Sequence, residues 1–207
     1  MSSITIIGNG NMARAIGTLA IARGNTVEIM GRDLAKAEAL AKTLGGSATT
    51  GEWGAVPTGE IVITALLYGA VVPVIAEYAD ALAGKIIVDI SNPFNATFDG
   101  LAYGEETSVA QEAAKVAPAR ASVVKAFNTI FSNVLETGRP SVFIAGDNAQ
   151  AKADVAAFIG SLGLRPLDAG DLKMAHWLEG MGLLSVSLAN NGIGHWDFAL
   201  GVDQFND

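Results

Sequence analysis

The chain opens with Ile4-Thr5-Ile6-Ile7, which runs directly into Gly8-Asn9-Gly10-Asn11-Met12-Ala13 and then Arg14-Ala15-Ile16-Gly17-Thr18-Leu19-Ala20. A β-branched apolar run, a glycine turn and a stretch of helix formers, in that order, read as strand, turn and helix. Each small residue has a physical job. Gly8 permits the tight turn, Gly10 lets a pyrophosphate approach the backbone, and Ala13 fills the third position of G-x-G-x-x-G/A, where close helix–strand packing needs a small side chain. The helix that follows offers unpaired N–H groups and a positive dipole end to the phosphates. Glycine makes up 24 of the 207 residues, so G-x-G recurs by chance, as in Gly192-Ile193-Gly194. The flanking strand and helix give the N-terminal copy its meaning.

Further apolar runs alternate with helical segments: Thr26-Val27-Glu28-Ile29-Met30, a short run at 47–49, Ile61-Val62-Ile63-Thr64-Ala65-Leu66, Ile86-Ile87-Val88-Asp89-Ile90, Ser122-Val123-Val124-Lys125-Ala126-Phe127, 141–145 and 164–167. Helices are expected at 34–44, 70–82, 149–162 and 171–191, and 95–107 reads as a long surface loop. Strand runs that are apolar throughout mark strands buried on both faces. Their alternation with helices implies parallel pairing with right-handed crossovers. The expected fold is α/β, a Rossmann-type doubly wound, mainly parallel sheet with a short C-terminal helical extension. The expected division is a dinucleotide-binding domain over 1–170 and a C-terminal helix and tail over 171–207, packed on the same domain or at a dimer interface. Asp171 would cap that last helix.

Composition excludes several classes. Half the residues are hydrophobic and 16% are charged, with a net charge of −8. Nucleic acid and an anionic membrane surface both need clustered Lys and Arg, so neither is expected as a partner. Absence of cysteine removes disulfides and thiolate sites, and His176 and His195 stand far apart with no ligand-like partners at metal spacing, so no metal site is expected. No basic run followed by an apolar core opens the sequence, so a signal peptide is not expected. The uncharged stretch 61–76 is shorter than the roughly 20 residues a membrane span needs. A soluble cytoplasmic protein is expected.

At the end of the second strand, NAD-binding folds place an acidic residue for the ribose 2′-OH. Here the sequence reads Gly31-Arg32, with Lys36 one turn further on. A planar, always-charged guanidinium suits a phosphate, so Gly31, Arg32 and Lys36 point to NADP(H), unless the two cations are ordinary surface charge. Asp33 reads as the cap of the next helix, although it is also within reach of a ribose.

Several stretches together resemble the family of F420-dependent NADP oxidoreductases and its bacterial relatives. They are the N-terminal glycine loop, Gly31-Arg32-Asp33-Leu34-Ala35-Lys36, Val88-Asp89-Ile90-Ser91-Asn92-Pro93, Val124-Lys125-Ala126-Phe127-Asn128-Thr129, Leu164-Arg165-Pro166-Leu167-Asp168-Ala169-Gly170 and Leu178-Glu179. The resemblance implies hydride transfer between NADP(H) and a flavin or deazaflavin such as coenzyme F420, in a cytoplasmic homodimer. Two departures stand out. Members that use the deazaflavin carry His-Thr-Ile-Pro where this chain has Asn128-Thr129-Ile130-Phe131, and a Pro-aromatic pair where it has Leu67-Tyr68. Both sit where an acceptor ring would stack, so the acceptor stays open.

Ligands of such sheets bind at the C-terminal ends of the strands. The expected cofactor residues are therefore Gly8, Asn9, Gly10, Asn11, Met12, Gly31, Arg32, Lys36, Ala65, Leu66, Leu67, Ser91, Asn92, Pro93 and Phe127. Tyr68 and Asn128 are expected to position the acceptor, against the plainer roles of a packing residue and a loop residue. Asn92 equally suits a turn with Pro93. Lys125, unusual in an apolar strand, either pairs with a carboxylate such as Asp89 or steers an anionic acceptor. His176 and His195 carry no motif. Two other functions remain: a small-substrate dehydrogenase or imine reductase, which would normally carry a longer C-terminal helical domain, and an NADP(H)-binding sensor without turnover.

Overall fold

The computed structural model describes residues 1–104, 106–137 and 139–205. Its strands are β1 (Ser3–Ile7), β2 (Thr26–Met30), β3 (Ala48–Gly51), β4 (Ile61–Thr64), β5 (Ile86–Asp89), β6 (Ser122–Lys125), β7 (Ser141–Gly146) and β8 (Arg165–Asp168). The helices are α1 (Asn11–Ala22), α2 (Leu34–Leu44), α3 (Tyr68–Tyr78), α4 (Val109–Val116), α5 (Ser132–Thr137), α6 (Ala149–Ser161) and α7 (Met174–Ser187). The strands form one sheet in the order β3-β2-β1-β4-β5-β6-β7-β8. Among the described helices, none is long and apolar enough to cross a membrane.

Successive strand residues point to opposite faces, and both faces are covered. Ile4, Ile6, Val27, Ile29, Ile61, Ile63, Val88 and Val124 pack with α1, α2 and α6 residues such as Ile16, Leu40 and Phe158. Their neighbours Ile7, Met30, Val62, Ile87 and Val123 pack on the other side with Val71 and Ile75 of α3, Val109 of α4 and Ala175 of α7. Fully burying one such side chain stabilises the fold by roughly 1.5–3 kcal/mol. This double coverage is why the strand runs are apolar throughout.

Pairing is parallel from β3 through to β6, and β7 then runs antiparallel to β6, with Val124 opposite Gly146. The sheet is thus mainly parallel, as expected, and the one reversal arises because the connection through α5 stays at the end of the sheet where β6 finishes. β8 is again parallel to β7. The sequence reading also missed α4, whose cap is Ser108, with its Oγ accepting from the Gln111 N–H at 3.1 Å. The loop before α4 carries an isolated bridge between Phe94 and Leu101, and Glu105 of the expected 95–107 loop lies outside the described residues.

The C-terminal helix begins later than expected. Asp171 makes a turn, accepting from the Lys173 N–H at 3.1 Å, and α7 starts at Met174. Leu172, Ala175, Leu178, Gly182 and Ser185 are buried on their own chain, while Trp177 and Leu184 on the opposite face are exposed. A tail follows α7, its Trp196 and Phe198 rings packed edge-on against Phe131, and its Val202 carbonyl accepting from Arg165; residues 206–207 of the expected C-terminal unit lie outside the described residues.

Candidate functional site

β1 leads to α1 on one face of the sheet and β4 leads to α3 on the other, so a crevice opens between their C-terminal ends. The glycine turn sits in that crevice. Gly8 has φ +131°, and its N–H donates to the Met30 carbonyl at 2.8 Å. A Cβ at Gly8 would stand 2.2 Å from the Ala65 carbonyl oxygen, so no other residue fits. Gly10 differs: a Cβ there would meet nothing within 4 Å, and a side chain would fill the open approach to the turn. Gly10 is also the N-cap of α1, which has no side-chain cap and no acidic residue in its first turn. Its leading N–H groups, which have no partner inside the helix, face an approach open to an anion. Ala13 is fully buried, as the helix–strand packing requires.

Two hollows flank this turn. The first, about 230 Å³, is lined by Gly8, Asn9, Gly31, Arg32, Asp33, Lys36 and Trp53, with Leu66, Ala70 and Val74 behind them. Arg32 is exposed, and its guanidinium carbon lies 5.3 Å from the centre of the Trp53 ring. Asp33 caps α2, accepting from the Lys36 N–H at 3.2 Å, and its carboxylate lies 3.3 Å from the Lys36 ammonium. The backbone and side-chain hydrogen bonds from Lys36 hold the Asp33 carboxyl below its ordinary value. Trp53 belongs to this hollow but carries no motif. The strand-end rule reaches it only once β3 is known to extend to Gly51.

The second hollow, about 390 Å³, is lined by Gly10, Asn11, Met12, Ala65, Leu66, Leu67 and Tyr68, and by Ile90, Ser91 and Asn92. Leu67 is 86% exposed, and the Tyr68 ring packs edge-on against Tyr103 at 6.2 Å. Apart from the Tyr68 phenol, no lining residue is titratable.

Beneath this second hollow lies a buried charge cluster. The Lys125 ammonium donates at 2.7 Å to each of three acceptors, the Asp89 carboxylate, the Glu179 carboxylate and the Ser91 carbonyl, and all three charged side chains are fully buried. Lys125 therefore pairs with Asp89, and its burial rules out the alternative of steering an anion from outside. Asp89 also accepts from the Ser91 N–H and hydroxyl at 3.0 and 2.8 Å. Glu179 also accepts from the Val109 N–H at 3.0 Å, and burial pushes its carboxyl above the ordinary value.

A second lock involves the expected acceptor residue Asn128. Its amide nitrogen donates to Asn92 Oδ1 and to the Leu178 carbonyl at 2.9 and 2.8 Å, while the Asn92 amide donates to the Asn128 carbonyl at 2.7 Å. Asn128 Oδ1 is buried and makes no hydrogen bond. The amide that would have pointed at an acceptor is thus engaged in tying the Asn92 loop to α7. Gly182 allows the contact, since a Cβ there would lie 2.8 Å from Asn92 Oδ1.

The remaining expected residues fall less directly on the cleft. Pro93 is buried and lines neither hollow. Phe127 does not reach the cleft either: its backbone is left-handed (φ +59°), which turns the ring into the core against Phe158, 6.4 Å away. His176 Nδ1 lies 3.1 Å from the Thr107 carbonyl, and His195 is exposed. A larger hollow of about 480 Å³, lined by Ala117, Arg120 and Asn148 among others, sits by the first residue of β6 and contains none of the expected site residues.

Comparisons with known proteins bear on the family and the fold. Residues 3–93 match the family described as NADP oxidoreductase, coenzyme F420-dependent. The rat (Rattus norvegicus) protein Metalloreductase STEAP3 is 32% identical over 187 residues, covering 87% of this chain and 36% of that protein. The chain thus spans about a third of the length of that curated relative. A crystal structure from Arthrobacter sp. FB24, assigned as an F420-dependent NADP-reductase, is 25% identical with a TM-score of 0.86, covering 99% of this chain and 100% of that one. A reductive aminase from Aspergillus terreus in complex with NADPH is 22% identical with a TM-score of 0.65, covering 92% of this chain and 62% of that one, a likeness of fold. The family match and the Arthrobacter structure carry the resemblance already drawn from the motifs.

Proposed function

We propose that this chain, which groups by sequence and fold with the NADP-dependent oxidoreductases, passes hydride between NADP(H) and a flavin or deazaflavin ring. The observation that carries the reading is the second hollow. Its walls are backbone, aliphatic side chains, Tyr68, Ser91 and Asn92, with no carboxylate, lysine or histidine. A ring acceptor takes hydride without a strong side-chain acid or base, so these walls suffice for it, whereas reduction of a carbonyl or imine would have only the Tyr68 phenol to serve as the acid. The exposed Leu67 side chain and the Tyr68 ring offer apolar surface against which such a ring can rest.

The residues present fit the cofactor. Gly8 and the open approach over Gly10 admit the pyrophosphate to the N-terminus of α1. Arg32 and Lys36 offer two cations to a 2′-phosphate in the first hollow. Ala65, Leu66, Leu67, Ser91 and Asn92 form the wall that orients the nicotinamide end and keeps water from it. NADP(H), when bound, supplies the hydride, and the protein supplies orientation and electrostatics. The name of the rat relative makes a chelated metal ion the natural competing acceptor to test.

Steady-state NADPH oxidation with F420, FMN, FAD and a ferric chelate separates the readings. Turnover with a ring acceptor is expected. Turnover with the ferric chelate alone would replace the ring by a metal, and tight NADPH binding with no turnover on any acceptor would make the chain a binding module.

A further inference from the structure

Arg32 stands on an exposed turn, and a long side chain in that position ordinarily loses much rotamer freedom when it grips a ligand. Here it is already held. Its guanidinium carbon is 5.3 Å from the centre of the Trp53 ring, within the range over which an aromatic face attracts a cation. The indole is fixed in turn from α3. Its Nε1 donates to Glu77 at 2.6 Å, and its ring meets Tyr78 edge-on at 5.4 Å and 86°. Tyr78 is 3% exposed, and its hydroxyl lies 3.8 Å from the sulfur of Met30, the last residue of β2, two positions before Arg32. A rigid support therefore runs from the core through Tyr78 and Trp53 to the guanidinium, and both Trp53 and Arg32 line the first hollow.

Resting on the reading of that hollow as an NADP site, we propose that Trp53 is a positioning residue. It holds Arg32 ready for a 2′-phosphate, and so sets the preference for phosphorylated over unphosphorylated adenine dinucleotides. The other cation, Lys36, is engaged with Asp33 on its own helix, which leaves Arg32 as the charge whose placement depends on an aromatic support.

Calorimetric titration with 2′,5′-ADP and with 5′-ADP tests this without turnover. The intact protein should prefer 2′,5′-ADP. Trp53→Leu should narrow that preference about two- to fivefold, the range for a cation held on an exposed aromatic face, and Trp53→Phe should keep most of it. In an Arg32→Ala background, Trp53→Leu should narrow the preference no further, because the two residues act through one contact. If Trp53→Leu, still folded by circular dichroism, weakens both ligands equally, Trp53 is a wall for the adenine and the proposal fails. An unchanged preference in both Trp53 variants overturns it as well. If the intact protein does not distinguish the two ligands, the NADP reading falls, and this proposal falls with it.

Discussion

The two ends of the cleft are built on opposite electrostatic plans. At the end near Arg32, the charges of Arg32, Asp33 and Lys36 are exposed and tied only to neighbours on the same turn or to a ring. At the end near Ser91 and Asn92, the charges of Asp89, Lys125 and Glu179 are fully buried and bonded to one another and to the backbone. Exposed charges keep their water and gain little from a partner, so a ligand can exchange for that partner at small cost. Buried charges have lost their water and depend on one another, so their geometry is hard to change. The first end is suited to gripping a charged group that comes and goes, and the second to holding the wall above it still.

The largest effect that would break this contrast is expected at the buried end. Lys125→Met leaves two carboxylates buried without their cation and should lower the unfolding free energy by about 3–5 kcal/mol, read by urea denaturation. A loss close to zero would mean that the cluster opens to water and that both ends share one plan.

Arg32→Ala tests the open end. It should leave stability within about 0.5 kcal/mol, yet weaken NADPH by roughly 1.5–3 kcal/mol, ten- to a hundredfold, through loss of a charge-assisted phosphate contact. NADH affinity should hold, because it has no 2′-phosphate. Equal losses for both nucleotides would count against Arg32 as the phosphate ligand.

The smallest effect is one of pH. Burial raises the Glu179 carboxyl above its ordinary value of 4.5. The folded chain therefore keeps a proton that the unfolded chain has released, and stability falls as pH rises from about 4.5 to the folded-state value. Below that window the penalty is absent, and above it the penalty is complete. Glu179→Gln keeps an oxygen for Lys125 and the Val109 N–H while removing the titration. Denaturation curves from about pH 4.5 to neutrality should then show a weaker decline than the parent's. An unchanged decline would place it on other groups.

Much of the molecule was legible because its signals are local. The second strand and the helix after it lie at Thr26–Met30 and Leu34–Leu44 as expected, with Asp33 as the cap. The short helix α4 left a signal too, the Ser108-x-x-Gln111 cap, but it is embedded among Gly, Glu and Thr residues that read as loop. The strand β7 was legible at 141–145, but its antiparallel direction was not, since a strand's direction depends on where its connection travels.

By itself the sequence determined the doubly wound class, the glycine turn, and the arginine that stands where an acidic residue would serve NAD. Each rests on residues within a few positions of one another, where turn geometry and side-chain periodicity act. Tertiary structure decided what those residues meet. Lys125 finds Glu179 54 positions away and Asn128 finds the Leu178 carbonyl 50 away. Trp53 arrives beneath Arg32 from the end of another strand, and a left-handed turn sends Phe127 into the core instead of the cleft. Pairings of that kind depend on how helices and strands pack across the sheet, and no local pattern in the chain encodes them.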